Sequence, residues 1–551
     1  MSDSLQHAKA LVIDANANAR MLIVSHLRDL GVGTVKAVTK TRDARLALEA
    51  GRYDIVVSDN DFGEEADSGQ QLLDELRREQ ILPQSTVFIM VTADASYSAV
   101  AGAAEAALDA YLLKPYTLAS FAERLHAARH RKQALKPIFD AMDADRFDEA
   151  AKLCLQRFEQ RAEYWLYAAR IGAELLLRLK RNAEARSLYQ AIVEAKTVPW
   201  AKLGVARAEY AAGQLQQAKQ TLELLVGEMP DYADGWDVLG RVQMDEGNLE
   251  LALKTYSQAL ALTPGCLLRA PRAGTLAFYA GRREEALRLL ESAAVNGLRS
   301  RLFDYFSLVL IALIQFDAGE RKATRQQLET FEQLLLKHSG SQRLQRQQLA
   351  VQALVALHEN RVADAVQAAE KLGQALDTAE ADLEAACLVL AVWRRVNQAG
   401  SPAPTTETVY QRLALRYCVN KASTEVMVAM CEEEEAAAAL VRKAHDRVFE
   451  IAEQAMTLSL KGKPELAVRL LAEQGEATRN AKLIDMAMSV LRRHAARIEE
   501  RATLEAQVRA LQEAWVLPIT GSLGRAKAGQ PLPVPLNTRG PAIEGPAPPI
   551  D

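Results

Sequence analysis

Tyr53-Asp54-Ile55-Val56-Val57-Ser58-Asp59 is the segment on which the fold turns. Its middle is continuously apolar and β-branched, the pattern of a strand buried on both faces, and it ends in a carboxylate. Short runs of the same kind recur on either side, at Ala10–Asp14, Thr34–Val38, Val87–Thr92 and Ala110–Leu113. Helical periodicity fills the stretches between and after them, at Ala19–Leu30, Thr41–Ala50, Gly69–Glu79, Ala99–Ala107 and Leu118–Arg131. Five β-then-α units in succession predict an α/β doubly wound, five-stranded parallel sheet over residues 7–131, with helices on both faces.

In open parallel sheets, ligands gather at the carboxyl ends of the strands. Here the ends carry Asp14, Asp59, Thr92 and the pair Lys114-Pro115. Two acids, a hydroxyl and an ammonium suit phosphoryl transfer to a carboxylate. Asp59 is the expected nucleophile, forming an acyl phosphate. Lys114 and the Thr92 hydroxyl are expected to hold the transferred oxygens. Mg²⁺ is the expected cofactor, bridging carboxylates and phosphoryl oxygens. A cis bond before Pro115 is expected to aim Lys114 inward.

With these residues in order on successive strands, 7–131 resembles the receiver domain of bacterial two-component response regulators. The resemblance implies that Asp59 is the phosphoacceptor, Lys114 the invariant lysine, and Thr92 with Tyr111 the switch pair. It implies a metal held by Asp14, Asp59 and the backbone carbonyl of Asp61, and a histidine kinase or phosphotransfer protein as phosphodonor. One position departs from the family. In Val12-Ile13-Asp14-Ala15-Asn16, Ala15 stands where the family has the acid that ligates the metal directly. A missing anionic ligand weakens Mg²⁺ binding, because affinity follows ligand charge. Asn16 and Asp61 are candidate substitutes, and Asp61 and Asp94 candidate modifiers of phosphoryl lifetime. The loop Asn60–Asp67 otherwise reads as a solvated acidic loop. Ala15 therefore sets a second reading beside the first, a phosphorylation-independent pseudo-receiver.

From about residue 137 the composition changes to Ala, Leu, Glu, Gln and Arg, all good helix formers. An internal period appears. Gly213, Gly247 and Gly281 are spaced by 34 residues, as are Ala218, Ala252 and Ala286, and Ala206, Gly240 and Gly274. The unit with Trp236, Leu239, Gly240, Gly247, Ala252, Tyr256, Ala259 and Pro264 resembles the tetratricopeptide repeat. Small residues let two helices approach, Gly247 ends the first of them, and Pro264 stops the second. Trp236, Tyr256 and Phe278 are read as packing residues. The better units span about 202–235, 236–269 and 270–300. Phe147–Ala150, Asn182–Ala185, Gly319–Ala323, Asn360–Ala365 and Gly462–Ala467 are degenerate copies. The expected organisation is a repeat array over 137–370, degenerate repeats and a cap over 371–517, and a disordered tail over 518–551. No repeat fits 370–460, and Ala495–Trp515 reads as one terminal helix. The tail holds eight of the eighteen prolines, too little apolar material to offset ordering entropy.

A net charge of −4 excludes a strongly basic nucleic-acid binder. Apolar runs fall short of the roughly 20 residues of a membrane span; Phe306–Ile314 comes nearest and reads as a buried helix. Cys154, Cys266, Cys387, Cys418 and Cys431 form no Cys-x-x-Cys pair, which suits a reducing, cytoplasmic setting. No signature of an enzymatic output occurs in 137–517, so the expected output is an unidentified protein or peptide bound in the repeat groove.

Overall fold

The computed structural model describes residues 5–62, 68–79, 81–93, 109–264, 266, 269–298, 303–337, 340–377, 381–400, 406–431 and 434–516. The expected helix Ala99–Ala107, Asp94, most of the acidic loop and the tail 518–551 lie outside the described residues.

The N-terminal part is a five-stranded, all-parallel sheet in the order β2-β1-β3-β4-β5. Its strands are β1 (Lys9–Ile13), β2 (Thr34–Val38), β3 (Ile55–Asp59), β4 (Val87–Thr92) and β5 (Ala110–Leu113). Every residue of β3 and β4 is buried, as their continuous apolar runs require. Helices α1 (Ala17–Asp29), α2 (Thr41–Ala50), α3 (Gly69–Arg78) and α4 (Leu118–Ala134) cover the two faces. Alternation along β1 divides the core. Ala10 and Val12 pack with Ile23, Leu27 and Phe121 on one face, and Leu11 and Ile13 with Leu48, Leu73 and Met90 on the other.

The rest of the described residues are helical: α5 (Lys136–Asp143), α6 (Phe147–Glu159), α7 (Trp165–Arg178), α8 (Asn182–Ala195), α9 (Pro199–Ala211), α10 (Leu215–Glu228), α11 (Ala233–Asp245), α12 (Leu249–Leu262), α13 (Arg269–Tyr279) and α14 (Arg283–Gly297). There follow α15 (Phe306–Asp317), α16 (Arg321–Lys337), α17 (Gln342–His358), α18 (Val362–Gln374), α19 (Leu383–Gln398), α20 (Thr406–Tyr417), α21 (Lys421–Cys431), α22 (Glu435–Leu460), α23 (Pro464–Thr478), α24 (Ala481–Arg493) and α25 (Arg501–Trp515).

The 34-residue period is a turn with a fixed backbone geometry. Gly213, Gly247 and Gly281 have φ of 77°, 77° and 75°, each between the two helices of a hairpin. The same left-handed residue occurs at Gly319 and Gly462, and where no glycine marks it, at Asp145, Lys180 and Asn360. The degenerate copies are therefore hairpins whose turn tolerates a costlier residue. Gly400, φ 89°, closes α19 with the same left-handed backbone, inside the stretch for which the sequence shows no repeat.

Trp236, Tyr256 and Phe278 pack as expected: Tyr256 and Phe278 are buried, and Trp236 is half-buried against the core that holds Leu222, Leu225 and Leu239, its indole N–H donating to the Pro230 carbonyl at 2.8 Å. Two expectations are corrected. The segment Ala495–Trp515 is not one helix: a single 3₁₀ turn at Ala495–Arg497 precedes α25. Most consequentially, the inner face of the array is not an open groove along its length. Helix α21 lies against α19 and reaches α11 and α13, with Met427, Met430 and Cys431 buried in the shared core. Helix α21 also packs on α22, which follows it, and the 34-residue spacing does not run through it.

Candidate functional site

The strand ends converge as their order predicts. Asp14 is fully buried, Asp59 and Thr92 nearly so. The Lys114 ammonium donates to Asp59 Oδ2 at 2.8 Å and lies 3.4 Å from Asp14 Oδ2. β5 is held to β4 beside it by the Lys114 amide, which donates to the Thr92 carbonyl at 2.7 Å. The Lys114–Pro115 bond is cis. Tyr111 is half-buried against the face of the sheet that holds Leu11, Ile13 and Met90. Asp61 is exposed, and its amide points at Asp59 Oδ1 from 3.4 Å; the Asn60 amide donates to the same oxygen at 2.8 Å.

The electrostatics follow from burial and crowding. Burial is the main force pushing the Asp14 carboxyl above its usual range, opposed by the Asn16 amide that donates to it at 2.7 Å and reinforced by the Asp59 charge. Burial disfavours the Lys114 ammonium, but its hydrogen bond to Asp59 and the two carboxylate charges outweigh that and raise its pKa. A further phenol was not expected here. Tyr116 is pushed up to about 12, by burial first and then by Asp14 and Asp59.

Two other residues build the pocket without a motif to mark them. A Cβ on Gly69, the first residue of α3, would stand 2.1 Å from the Asp59 carbonyl oxygen. Only glycine lets this helix start so close to the strand end. Arg20 on α1 donates to the Asp14 carbonyl at 2.8 Å and the Ala15 carbonyl at 3.4 Å, pinning the loop that follows β1. The only sequence signal for Gly69 is a weak helix former at a helix start.

Two carboxylates face one another across Lys114, and Mg²⁺ is commonly held by one or two carboxylates with waters filling its octahedron. Asp14 and Asp59 supply two such carboxylates. Asn16 does not add to it, because its side-chain oxygen caps α1 by accepting from the amides of Asn18 and Ala19. Ala15 contributes nothing. The arrangement therefore provides a carboxylate with an adjacent ammonium, and a second carboxylate close enough to share a cation with it.

Comparison with known proteins finds relatives of the N-terminal part. Residues 10–126 match the family model of the response regulator receiver domain. The chain is 30% identical over 120 residues to the chemotaxis protein CheY-3 of Vibrio cholerae, covering 22% of this chain and 90% of that protein. It is 30% identical over 117 residues to the chemotaxis protein CheY of Pseudomonas aeruginosa, covering 21% and 92%. Among solved structures, the chemotaxis response regulator CheY4 of V. cholerae matches at 21% identity, 22% and 98% coverage and a TM-score of 0.20. A tetratricopeptide repeat protein from Parabacteroides merdae matches at 12% identity, 50% and 96% coverage and a TM-score of 0.31.

Proposed function

Because the chain belongs to the response regulators through the receiver domain at its N-terminus, we propose that it accepts a phosphoryl group on Asp59 and uses it to control protein binding by the helical repeats. The observation that carries the proposal is the ammonium of Lys114 set 2.8 Å from the Asp59 carboxylate in a pocket shared with Asp14 and Thr92. A histidine kinase or phosphotransfer protein supplies the group. The phosphorus–nitrogen bond of its phosphohistidine breaks as an Asp59 oxygen bonds to phosphorus, and the released imidazole takes up a proton. Lys114, drawn off the carboxylates, meets the oxygens of the transferred group, and the Thr92 hydroxyl stands at the next strand end to bond another. Bound Mg²⁺ supplies charge neutralisation in this pocket. Asp59, Asp14 and the carbonyl of Asp61 are the groups that would hold it. Tyr111, on the strand next to Thr92, carries the change toward the repeats as a shift between two receiver states.

Ala15 favours a second reading, a pseudo-receiver whose repeats bind without phosphorylation. The two separate cleanly. Incubated with acetyl phosphate and Mg²⁺, the protein is expected to gain the mass of one phosphoryl group, and Asp59→Asn to gain none. Absence of modification in the unaltered protein discards the phosphorelay role and leaves the pseudo-receiver. No described helix is long and apolar enough to cross a membrane.

A further inference from the structure

The receiver is joined to the repeats by a buried polar cluster. Arg131 and Lys132, at the end of α4, both meet Asp109, at 3.4 and 3.1 Å. The Arg131 guanidinium stacks over Tyr167 of α7, 5.0 Å from its centroid. One turn further along α7 is Arg170. It is 6% exposed, it lies 4.9 Å from the centroid of the Trp200 ring on α9, and it makes no hydrogen bond or ion pair among the described residues.

A buried guanidinium without an acceptor costs free energy that the fold has no reason to sustain alone. The nearest carboxylate is Glu174, and it is already committed. Its oxygens take the two Arg207 nitrogens at 2.5 and 3.0 Å, and one of them also accepts from the Tyr189 hydroxyl at 2.6 Å. Around Arg170 the remaining titratable neighbours are phenols, those of Tyr232, Tyr189 and Tyr167. Nor is Arg170 sealed away. The Nε atoms of Arg77, Arg131 and Arg241 are closed off from solvent without a partner, whereas no nitrogen of Arg170 is. Its donors therefore keep some access to solvent beside Trp200, where α7 meets α9, the first helices of two successive hairpins.

We propose that Arg170 is the anchor of a binding site for a carboxylate presented by an acidic segment of a partner protein. Trp200 fixes the guanidinium plane, and a planar group with paired N–H donors matches a carboxylate in bidentate fashion. The fold shows the same pairing next door, between Arg207 and Glu174. The location also agrees with what is left uncovered: α21 lies against α11 and α13, so the inner face nearest the receiver is where a partner finds unspent donors. The proposal rests on the reading of the repeats as the binding part of a response regulator, and it puts the partner one helical turn from the receiver joint.

The test is isothermal titration of the full-length protein with an acetylated, amidated tetraglutamate peptide, and separately with inorganic phosphate. Arg170→Met keeps the length and the contact with Trp200 but removes the charge. Tetraglutamate is expected to bind the unaltered protein saturably and to bind Arg170→Met at least about tenfold more weakly, the loss that follows removal of a hydrogen bond to a charged group. The thermal midpoint of the ligand-free variant is expected to stay equal or rise, since an unpaired buried charge is lost; an arginine with a purely structural role predicts a fall. Equal peptide affinity in both proteins, absence of saturable binding, or Arg170-dependent binding of phosphate alone would each overturn the proposal. Repeating the titrations after acetyl phosphate treatment keeps it separate from the phosphorelay reading. If Asp59 is never modified that reading fails, while the effect of Arg170→Met still decides this one.

Discussion

Lys132 shows what one side chain at the joint does to the whole. Its ammonium is buried between Asp109, the Gln84 carbonyl at 2.5 Å and the ring of Phe139. Burial drives its pKa down to about 8, Asp109 opposing and the guanidinium of Arg77 assisting. The sign of the consequence is fixed by linkage. Between about 8 and the ordinary lysine range, the unfolded chain holds a proton the folded chain has released, so stability attributable to this group rises with pH across that window and is lowest below it. Chemical denaturation of the protein and of Lys132→Met from pH 7 to pH 10 is expected to show the difference moving in favour of the unaltered protein as pH rises; a pH-independent difference refutes it. None of this is legible in the sequence, where Lys132 is one basic residue in a helix end rich in them. The pocket is the opposite case. Asp14, Asp59, Thr92 and Lys114 are readable because a parallel sheet forces successive strand ends together. Gly69, Arg20 and Tyr116 are not, because their parts depend on a few tenths of an ångström of clearance and on loop paths that no spacing encodes.

At the scale of elements, the hairpins stand on close approaches at small residues. A Cβ on Gly204 in α9 would fall 2.2 Å from the ring of Tyr189 in α8. That ring is 1% exposed and tied to Glu174 through its hydroxyl, so it has nowhere to go. Gly204→Ala is expected to cost about 1–3 kcal/mol by overpacking. Gly227→Ala, near the end of α10 with nothing within 4 Å of the added carbon, is expected to gain up to about 1 kcal/mol from helix propensity. Urea midpoints of the two variants should therefore move in opposite directions, and movement in the same direction removes the packing account. The period of 34 was legible because Gly213, Gly247 and Gly281 mark turns that favour glycine. It faded where Asp145, Lys180 and Asn360 adopt the same left-handed backbone, since a sequence reports the residue and not its φ. Helix α21 was invisible for another reason. Its buried residues answer not only to its neighbour α22 but to α11, α13 and α19, earlier in the chain.

At the scale of the molecule, the question is how a carboxylate at one end of a sheet is felt by helices at the other. The Asp59 pocket is completed at the carboxyl ends of β4 and β5, at Thr92 and Lys114, and the joint lies where the same strands begin. There Asp109 Oδ2 accepts from the Phe88 amide of β4 at 2.9 Å, and Arg131 donates to the Asp109 carbonyl at 2.9 Å. From the same edge the Gln84 amide and the Ser85 hydroxyl reach Asp143 of α5, at 2.9 and 3.3 Å. Two strands thus connect pocket and joint directly, so a change in β4–β5 at Thr92 and Tyr111 would reach Asp109 along the strands themselves. Asp109→Ala breaks that connection while leaving the pocket intact. It strands Arg131 and Lys132 as buried cations, at an expected cost of about 3–5 kcal/mol. In the unaltered protein, acetyl phosphate with Mg²⁺ is expected to alter amide hydrogen exchange both beside Asp59 and in α7. In Asp109→Ala the change beside Asp59 should persist and the change in α7 should vanish. If α7 responds equally in both proteins, the signal bypasses the joint; if it responds in neither while Asp59 is modified, the receiver and the repeats are mechanically independent despite their shared interface.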